Sequence, residues 1–347
     1  MRYSTQIITL VTIYLFVGTS CNGEEPGGLE VHSAQELTEY VDTLVIMGSE
    51  ESPVYTYSNL MLLDDELFFA DHTTNKISKY DLSSGEQKGR FGGRGSGPGS
   101  MDRPTGMNST TDGQIIIYEG GNHRFQTFDN EGNSIKVSST EGLVFDFTVS
   151  ESNSDLVWGA YSSSIDESKA NVVHEIDINK DKVVRSFGEY DRRDIVSESW
   201  TITNNDETII FANNLKDHIN IFEKDSDSLN QVDVTNKNTN IFPYTDEPTT
   251  PSELEDQLDK LNNAKYTRIH DIFVIDEVVY VIHERNNYEQ SYFKFFIDLY
   301  DIDGGEHIKT IDGFDRRIMF IEEESLFAEY EISESEYGKV EIKFFEL

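Results

Sequence analysis

The chain has 347 residues, with 65 Asp and Glu against 28 Lys and Arg and a formal net charge of −37. That balance argues against a nucleic-acid partner, whose phosphates need a clustered positive surface, and against direct contact with an anionic membrane surface. The single cysteine, Cys21, rules out an intramolecular disulfide, and 21 Phe with 17 Tyr suit an all-β core.

The chain opens with Arg2, a largely apolar run from Ile7 to Val17, and then Gly18-Thr19-Ser20-Cys21. This is the charged start, apolar segment and small-residue cleavage region of an export signal. The apolar run is shorter than the roughly 20 residues of a membrane span. The pattern resembles a bacterial lipoprotein signal over residues 1–20, in which Cys21 becomes the lipidated first residue. One position departs from that pattern: Gly18 stands where such signals usually carry Leu. Residues 21–40 read as a tether, beginning with the polar Asn22-Gly23-Glu24-Glu25-Pro26-Gly27-Gly28. Glu24-Glu25 resembles the surface-export signal of some Gram-negative lipoproteins.

From a first unit that begins near residue 58, the sequence repeats. Asp64 aligns with Asp112, Leu67-Phe68-Phe69 with Ile115-Ile116-Ile117, Asp71 with Glu119, Lys76 with Arg124 and Tyr80-Asp81 with Phe128-Asp129, all 48 residues apart. Such a period points to repeated supersecondary units. Each unit has an acidic turn before an apolar strand, as at Asp64-Asp65-Glu66, Asp112-Gly113-Gln114, Ser154-Asp155, Asn205-Asp206-Glu207, Asp276-Glu277 and Glu323-Glu324-Ser325. An apolar residue followed by an acid recurs behind it: Tyr80-Asp81, Phe128-Asp129, Ile176-Asp177, Phe222-Glu223, Tyr300-Asp301 and Phe345-Glu346. Phe91-Gly92 recurs as Phe187-Gly188.

Each unit therefore reads as four short strands. In the first these lie near Asn59–Leu63, Glu66–Ala70, Lys76–Leu82 and Gln87–Phe91. The units span 58–93, 104–140, 143–189, 198–236 and 267–313, and the sixth begins near Arg316. It runs out at Leu347 after its third strand, and Asp42–Met47 is a strand-like run with no unit of its own. The expected fold is an all-β, six-bladed β-propeller of four-stranded antiparallel blades over residues 41–347, its last blade completed by residues 42–48.

Long connections gather on one face: Gly93–Pro104, Tyr161–Ala170, Asn236–Tyr266 and His283–Ser291. That face is the expected binding face. Within it, a short amphipathic helix is expected at 251–263.

The segment from Phe91 to Gly106, FGGRGSGPGSMDRPTG, resembles the blade junction of NHL-repeat propellers. Glu119-Gly120-Gly121-Asn122-His123-Arg124-Phe125 resembles the NHL turn built on Asn-His-Arg. The whole chain is similar to the six-bladed propeller lipoproteins of Gram-negative bacteria. This implies an outer-membrane lipoprotein on the cell surface or the periplasmic side. It also implies a monomeric propeller that touches the membrane through its lipid alone.

No Gly-x-Ser-x-Gly elbow appears, and the Gly92–Gly99 run lacks the Gly-Lys-Ser or Gly-Lys-Thr of a phosphate-binding loop. Arg94, Arg103, Tyr161, Trp200, Arg285, Arg316 and Arg317 fall in or beside the long loops. Aromatics and arginines anchor recognition surfaces, so Arg94, Tyr161, Trp200, Arg285 and Arg317 are the candidate contacts for a peptide, glycan or protein of the cell envelope. The alternative is a metal-dependent hydrolase or lyase that holds calcium or zinc at the ring centre. Its candidate ligands are His270, His283, Asp71 and Glu119. The equivalence of Asp71 and Glu119 by repeat favours a structural role, in which both accept bonds from turn amides.

Overall fold

The computed structural model describes residues 32–33, 40–49, 59–140, 142–161, 171–189, 199–235, 239, 252–253, 266–286, 294–314, 318–322, 325–332 and 339–346. The chain separates into two units, Met1–Glu30 and Val31–Leu347, and the described residues belong to the second.

Their strands form six sheets. Sheet one consists of Asn59–Leu63, Glu66–Asp71, Lys76–Asp81 and Gln87–Gly92. Sheet two is Pro104–Ser109, Ile115–Glu119, Arg124–Phe128 and Ser134–Ser139. Sheet three is Val144–Val149, Leu156–Tyr161, Asn171–Asp177 and Lys182–Glu189. Sheet four is Trp200–Asn204, Thr208–Asn213, His218–Glu223 and Ser228–Asp233. Sheet five is Tyr266–Ile275, Val278–Asn286, Lys294–Asp301 and His307–Phe314. Sheet six is Ile318–Glu322, Ser325–Ile332 and Lys339–Glu346, completed by Tyr40–Met47. Within each sheet these strands pair antiparallel in that order. The molecule is an all-β propeller with four-stranded antiparallel blades.

The strand expected to complete the last sheet does so: Thr43 pairs with Lys343 and Ile46 with Val340. Without it, Lys339–Glu346 would leave a row of unpaired backbone groups on a free edge. Inside the stretch expected to be tether, His32 and Ser33 pair parallel with Ile311 and Asp312 at the rim of sheet five. Ser252 and Glu253 are helical, and the rest of the helix expected at 251–263 lies outside the described residues. Among the described residues no helix is long and apolar enough to cross a membrane.

The first strand of each sheet touches the first strands of the two adjoining sheets, in cyclic order. Apolar clusters fill the spaces between consecutive sheets. Met61, Phe68, Ile77, Ile115 and Phe128 join sheets one and two. Leu44, Ile46, Val340 and Ile342 join sheet six to Leu60, Leu67, Phe69 and Tyr80 of sheet one. Both faces of a sheet are therefore buried, which is why the second strands read as runs such as Leu67-Phe68-Phe69 and Ile115-Ile116-Ile117 rather than as alternations. Each fully buried side chain of this size contributes about 1.5–3 kcal/mol.

The repeated sequence markers have a physical basis. In sheets one, two, three and five the acid that closes the third strand caps the turn that follows. Asp81 Oδ1 accepts from Ser84 N (2.9 Å), Asp129 Oδ1 from Asn133 N (2.7 Å), Asp177 Oδ1 from Asn179 N (3.0 Å) and Asp301 Oδ1 from Gly304 N (2.7 Å). These and neighbouring side-chain bonds hold the Asp81, Asp129 and Asp177 carboxyls below the usual aspartate range. In the Phe-Gly marker, Phe91 packs on Phe128 of sheet two (5.1 Å between ring centres) and Phe187 stacks on Phe222 of sheet four (3.8 Å). The following Gly92 (φ 86°) and Gly188 (φ 77°) are left-handed, a conformation that glycine adopts without strain. A Cβ on Gly92 would also sit 2.1 Å from Met101 Cε.

Candidate functional site

The glycine-rich junction between sheets one and two is a folded loop with its own interior. Met101 N donates to Gly93 O (2.8 Å) and Gly95 N to Met101 O (3.0 Å), and Arg94 bridges Met101. Buried side chains of sheet two hold the loop from below. Arg124 donates to the carbonyls of Ser96 (2.6 Å), Gly97 (3.2 Å) and Ser100 (2.8 Å). Gln126 Nε2 also donates to Ser100 O (2.6 Å), Gly99 N donates to Gln126 Oε1 (2.9 Å), and Asn122 Nδ2 donates to Gly95 O (3.0 Å).

Glu119, 0% exposed, organises this set. It accepts from Arg124 Nε (2.8 Å), Asn122 Nδ2 (2.6 Å), Asp102 N (2.9 Å) and Gln126 Nε2. Asp71 does the equivalent work in sheet one. It accepts from Thr73 N (2.8 Å) and Thr74 N (3.1 Å), with Arg90 3.9 Å away. His123 sits at positive φ (51°) closing the Asn-His-Arg turn, as Asn75 does in sheet one (57°).

The exposed surface of this loop carries Arg94 and Arg103. Arg103 is a non-glycine residue at φ 52° immediately before Pro104, a position biased toward extended conformations. Its N–H donates to Asn75 Oδ1 (2.6 Å) and its carbonyl accepts from Gly120 N (2.9 Å).

The remaining candidate contacts sit elsewhere. Tyr161 is half-buried and meets His174 edge-on at 4.6 Å. Trp200, expected on the open face, is 8% exposed. It is the first residue of the inner strand of sheet four and packs near Phe211 (6.2 Å), because its indole faces the core between sheets three and four. Arg285 lies over Phe296 (4.2 Å) and pairs with Asp312 (2.8 and 3.0 Å) inside sheet five. Arg317 and Cys21 lie outside the described residues, as does Arg316.

The four residues named for a metal are not brought together. Asp71 and Glu119 hold turns in sheets one and two. His270 Nδ1 lies 3.3 Å from Glu284 Oε2, which belongs with Arg268 (Nη2 to Oε2, 2.8 Å). His283, 0% exposed, stacks on Phe296 (4.6 Å) with its Nε2 3.2 Å from Asp298 Oδ2. His307 reaches the other oxygen of Asp298 (3.2 Å). Burial would raise the Asp298 carboxyl, but His283, Thr310 and His307 together hold it below the usual range. Among the described residues no group of three or more His, Cys, Asp or Glu is arranged to hold a metal ion.

The inner wall of the ring holds a pair that the sequence did not single out. Asp146 and Asp271 follow register shifts in the inner strands of sheets three and five. Asp146 Oδ2 accepts from Ile202 N of sheet four (3.0 Å) and its Oδ1 from Phe147 N (2.9 Å). Asp271 Oδ1 accepts from Thr201 Oγ1 of sheet four (2.7 Å) and from Ile272 N (2.9 Å). The two carboxyls thus flank one strand and join three adjacent sheets. Burial, with the Asp271 charge beside it, pushes the Asp146 carboxyl up to about 7. Nearby, Asn204 Nδ2 donates to Val149 O (3.0 Å) and Asn108 Nδ2 to Phe147 O (3.3 Å). Side chains thereby satisfy inner-edge backbone groups that no neighbouring strand reaches. The available signal was an acid at one position of two inner strands, in Phe145-Asp146-Phe147 and His270-Asp271-Ile272.

No family model and no curated protein matches the chain. Solved structures do. A member of the DUF4221 family from Bacteroides vulgatus is 12% identical, with 88% of this chain and 97% of that one covered and a TM-score of 0.63. A protein from Bacteroides fragilis whose name assigns it to export is 10% identical, with 88% and 94% covered and a TM-score of 0.66. At these identities the likeness is one of fold: both share this chain's β-propeller architecture.

Proposed function

We propose that this chain is a six-bladed, NHL-like propeller lipoprotein, held to the outer membrane through lipid on Cys21. In this reading it acts as a binding or scaffolding module for a peptide, glycan or protein of the cell envelope. The six sheets touching in cyclic order support the blade count. The export signal, and the similarity to a protein named for export, support the location. The observation that carries the binding role is the junction loop 93–103, where buried Glu119, Arg124 and Gln126 hold a rigid platform under two exposed arginines. Rigid loops on a stable scaffold are where recognition residues concentrate.

Two measurements test this reading. Wild-type protein should incorporate labelled fatty acid and sediment with outer membranes, and Cys21→Ser should do neither. A Cys21→Ser protein that still partitions with membranes overturns the anchor. The immobilised protein should retain a defined envelope component, and retention unchanged by Arg94→Ala with Arg103→Ala overturns the assignment of the face.

A further inference from the structure

The junction loop also indicates what kind of group this face takes, an inference that rests on reading that face as the binding face. In a chain with 65 Asp and Glu against 28 Lys and Arg, carboxylate partners for arginine are abundant. Every other described arginine has one. Arg90 lies 3.9 Å from Asp71, Arg124 pairs with Glu119 at 2.8 Å, and Arg185 pairs with Glu175 and, at 2.8 Å, with Asp227. Arg268 pairs with Glu284 and Arg285 with Asp312, each at 2.8 Å.

Arg94 and Arg103 are the exceptions. Both are exposed, and among the described residues neither guanidinium makes a hydrogen bond or an ion pair. The acid adjacent to Arg103 in sequence is engaged elsewhere. Asp102 stands next to Arg103 in sequence, but its amide donates to Glu119 (2.9 Å). Its carboxyl lies against Gly121, where a Cβ would come within 2.5 Å of Asp102 Cγ. Arg103 is displayed from a left-handed backbone (φ 52°), a conformation that costs a non-glycine residue of this kind free energy and is concentrated at functional positions.

We infer that Arg94 and Arg103 together receive the carboxylate of an otherwise uncharged ligand. The planar donor fork of a guanidinium matches a carboxylate in two parallel hydrogen bonds. The charge of the whole chain selects a single anionic group rather than a polyanion. Every additional negative charge on the ligand enters the field of a protein at −37, while two arginines can compensate only what touches them. Such a carboxylate is carried by a uronic sugar or by a peptide C-terminus, and the recognised group is the same in both.

The test titrates the full-length protein, purified from membranes, with glucuronate and with N-acetylalanine, following the arginine side-chain Nε–H resonances. Glucose and N-acetylalaninamide serve as uncharged counterparts and heparin as the polyanion. At least one carboxylate should bind saturably while its uncharged counterpart does not. Glucuronate alone assigns a sugar, N-acetylalanine alone assigns a peptide end, and either result supports the inference. Affinity should fall at least tenfold in Arg94→Gln with Arg103→Gln, with the unfolding midpoint unchanged. The inference is overturned if neither carboxylate binds, if the double variant binds as well as wild type, or if heparin binds more tightly than both. Fractionation of Cys21→Ser and retention of an envelope component are read independently, so the broader reading and this one fail separately.

Discussion

Glu119 in sheet two is fully buried and Asp146 in sheet three half-buried, yet what separates these two carboxyls of one ring is the sign of their partners. Glu119 faces the Arg124 guanidinium and two side-chain amides. Its charge is matched, and it serves as the floor of a loop. Asp146 faces Asp271, and its hydrogen bonds come from neutral groups. With no cation to offset burial, it is the neutral acid that is favoured. The two sites show that burial alone does not set what a carboxylate does; the charge opposite it does.

The largest expected effect breaks the matched side of this pair. Arg124→Ala leaves Glu119 buried without its cation and removes three loop anchors. It should cost about 3–5 kcal/mol in urea unfolding and make residues 93–103 the first site of proteolytic nicking.

The unmatched side is tested by pH. The Asp146 carboxyl titrates near 7 in the folded chain and near 3.9 when unfolded. Its contribution to stability is therefore fully present below about pH 4 and is lost as pH rises through 7. The loss amounts to about 2–4 kcal/mol. Asp146→Asn should remove this component, so that the difference between wild-type and variant stability changes across pH 4–7 and is flat above it. A difference that does not vary with pH would show that folding does not raise the Asp146 carboxyl.

Two smaller effects sharpen the contrast within the junction. Gly92→Ala places a Cβ at φ 86° against Met101 and should lower stability by about 1–3 kcal/mol. Arg103→Gly, at a position with the same sign of φ, should instead leave the unfolding midpoint unchanged or raise stability by up to about 1 kcal/mol. If it lowers stability, the arginine side chain has a packing role in the loop.

Much of the frame was legible in the sequence because the repeat is made by local chemistry. Turn-capping acids such as Asp81 and Asp129, and left-handed glycines after Phe91 and Phe187, must recur wherever the same turn recurs. The strand boundaries of sheet one and the closing strand near Asp42–Met47 followed from that repetition. The site was less legible. Trp200 is placed beside a loop by its sequence position, but the first residue of an inner strand can face the adjoining sheet, and here it does. Arg285 stands in a loop-flanking stretch, yet Asp312, two strands away in the same sheet, captures it. Asp146 and Asp271 follow register shifts. A bulge resets which side a residue faces without leaving a mark in composition.

The pairing of Tyr40–Met47 with Lys339–Glu346 also governs how the molecule comes into being. Its two partners lie far apart in sequence, so their meeting carries the largest loop-closure entropy among the described pairings and cannot occur until Lys339–Glu346 has emerged from the ribosome. Sheets one to five can each assemble from neighbouring residues as they emerge. The ring closes last, and until then its first strand waits unpaired. Emergence of that distant strand is thereby the step that turns a row of hairpins into a closed body.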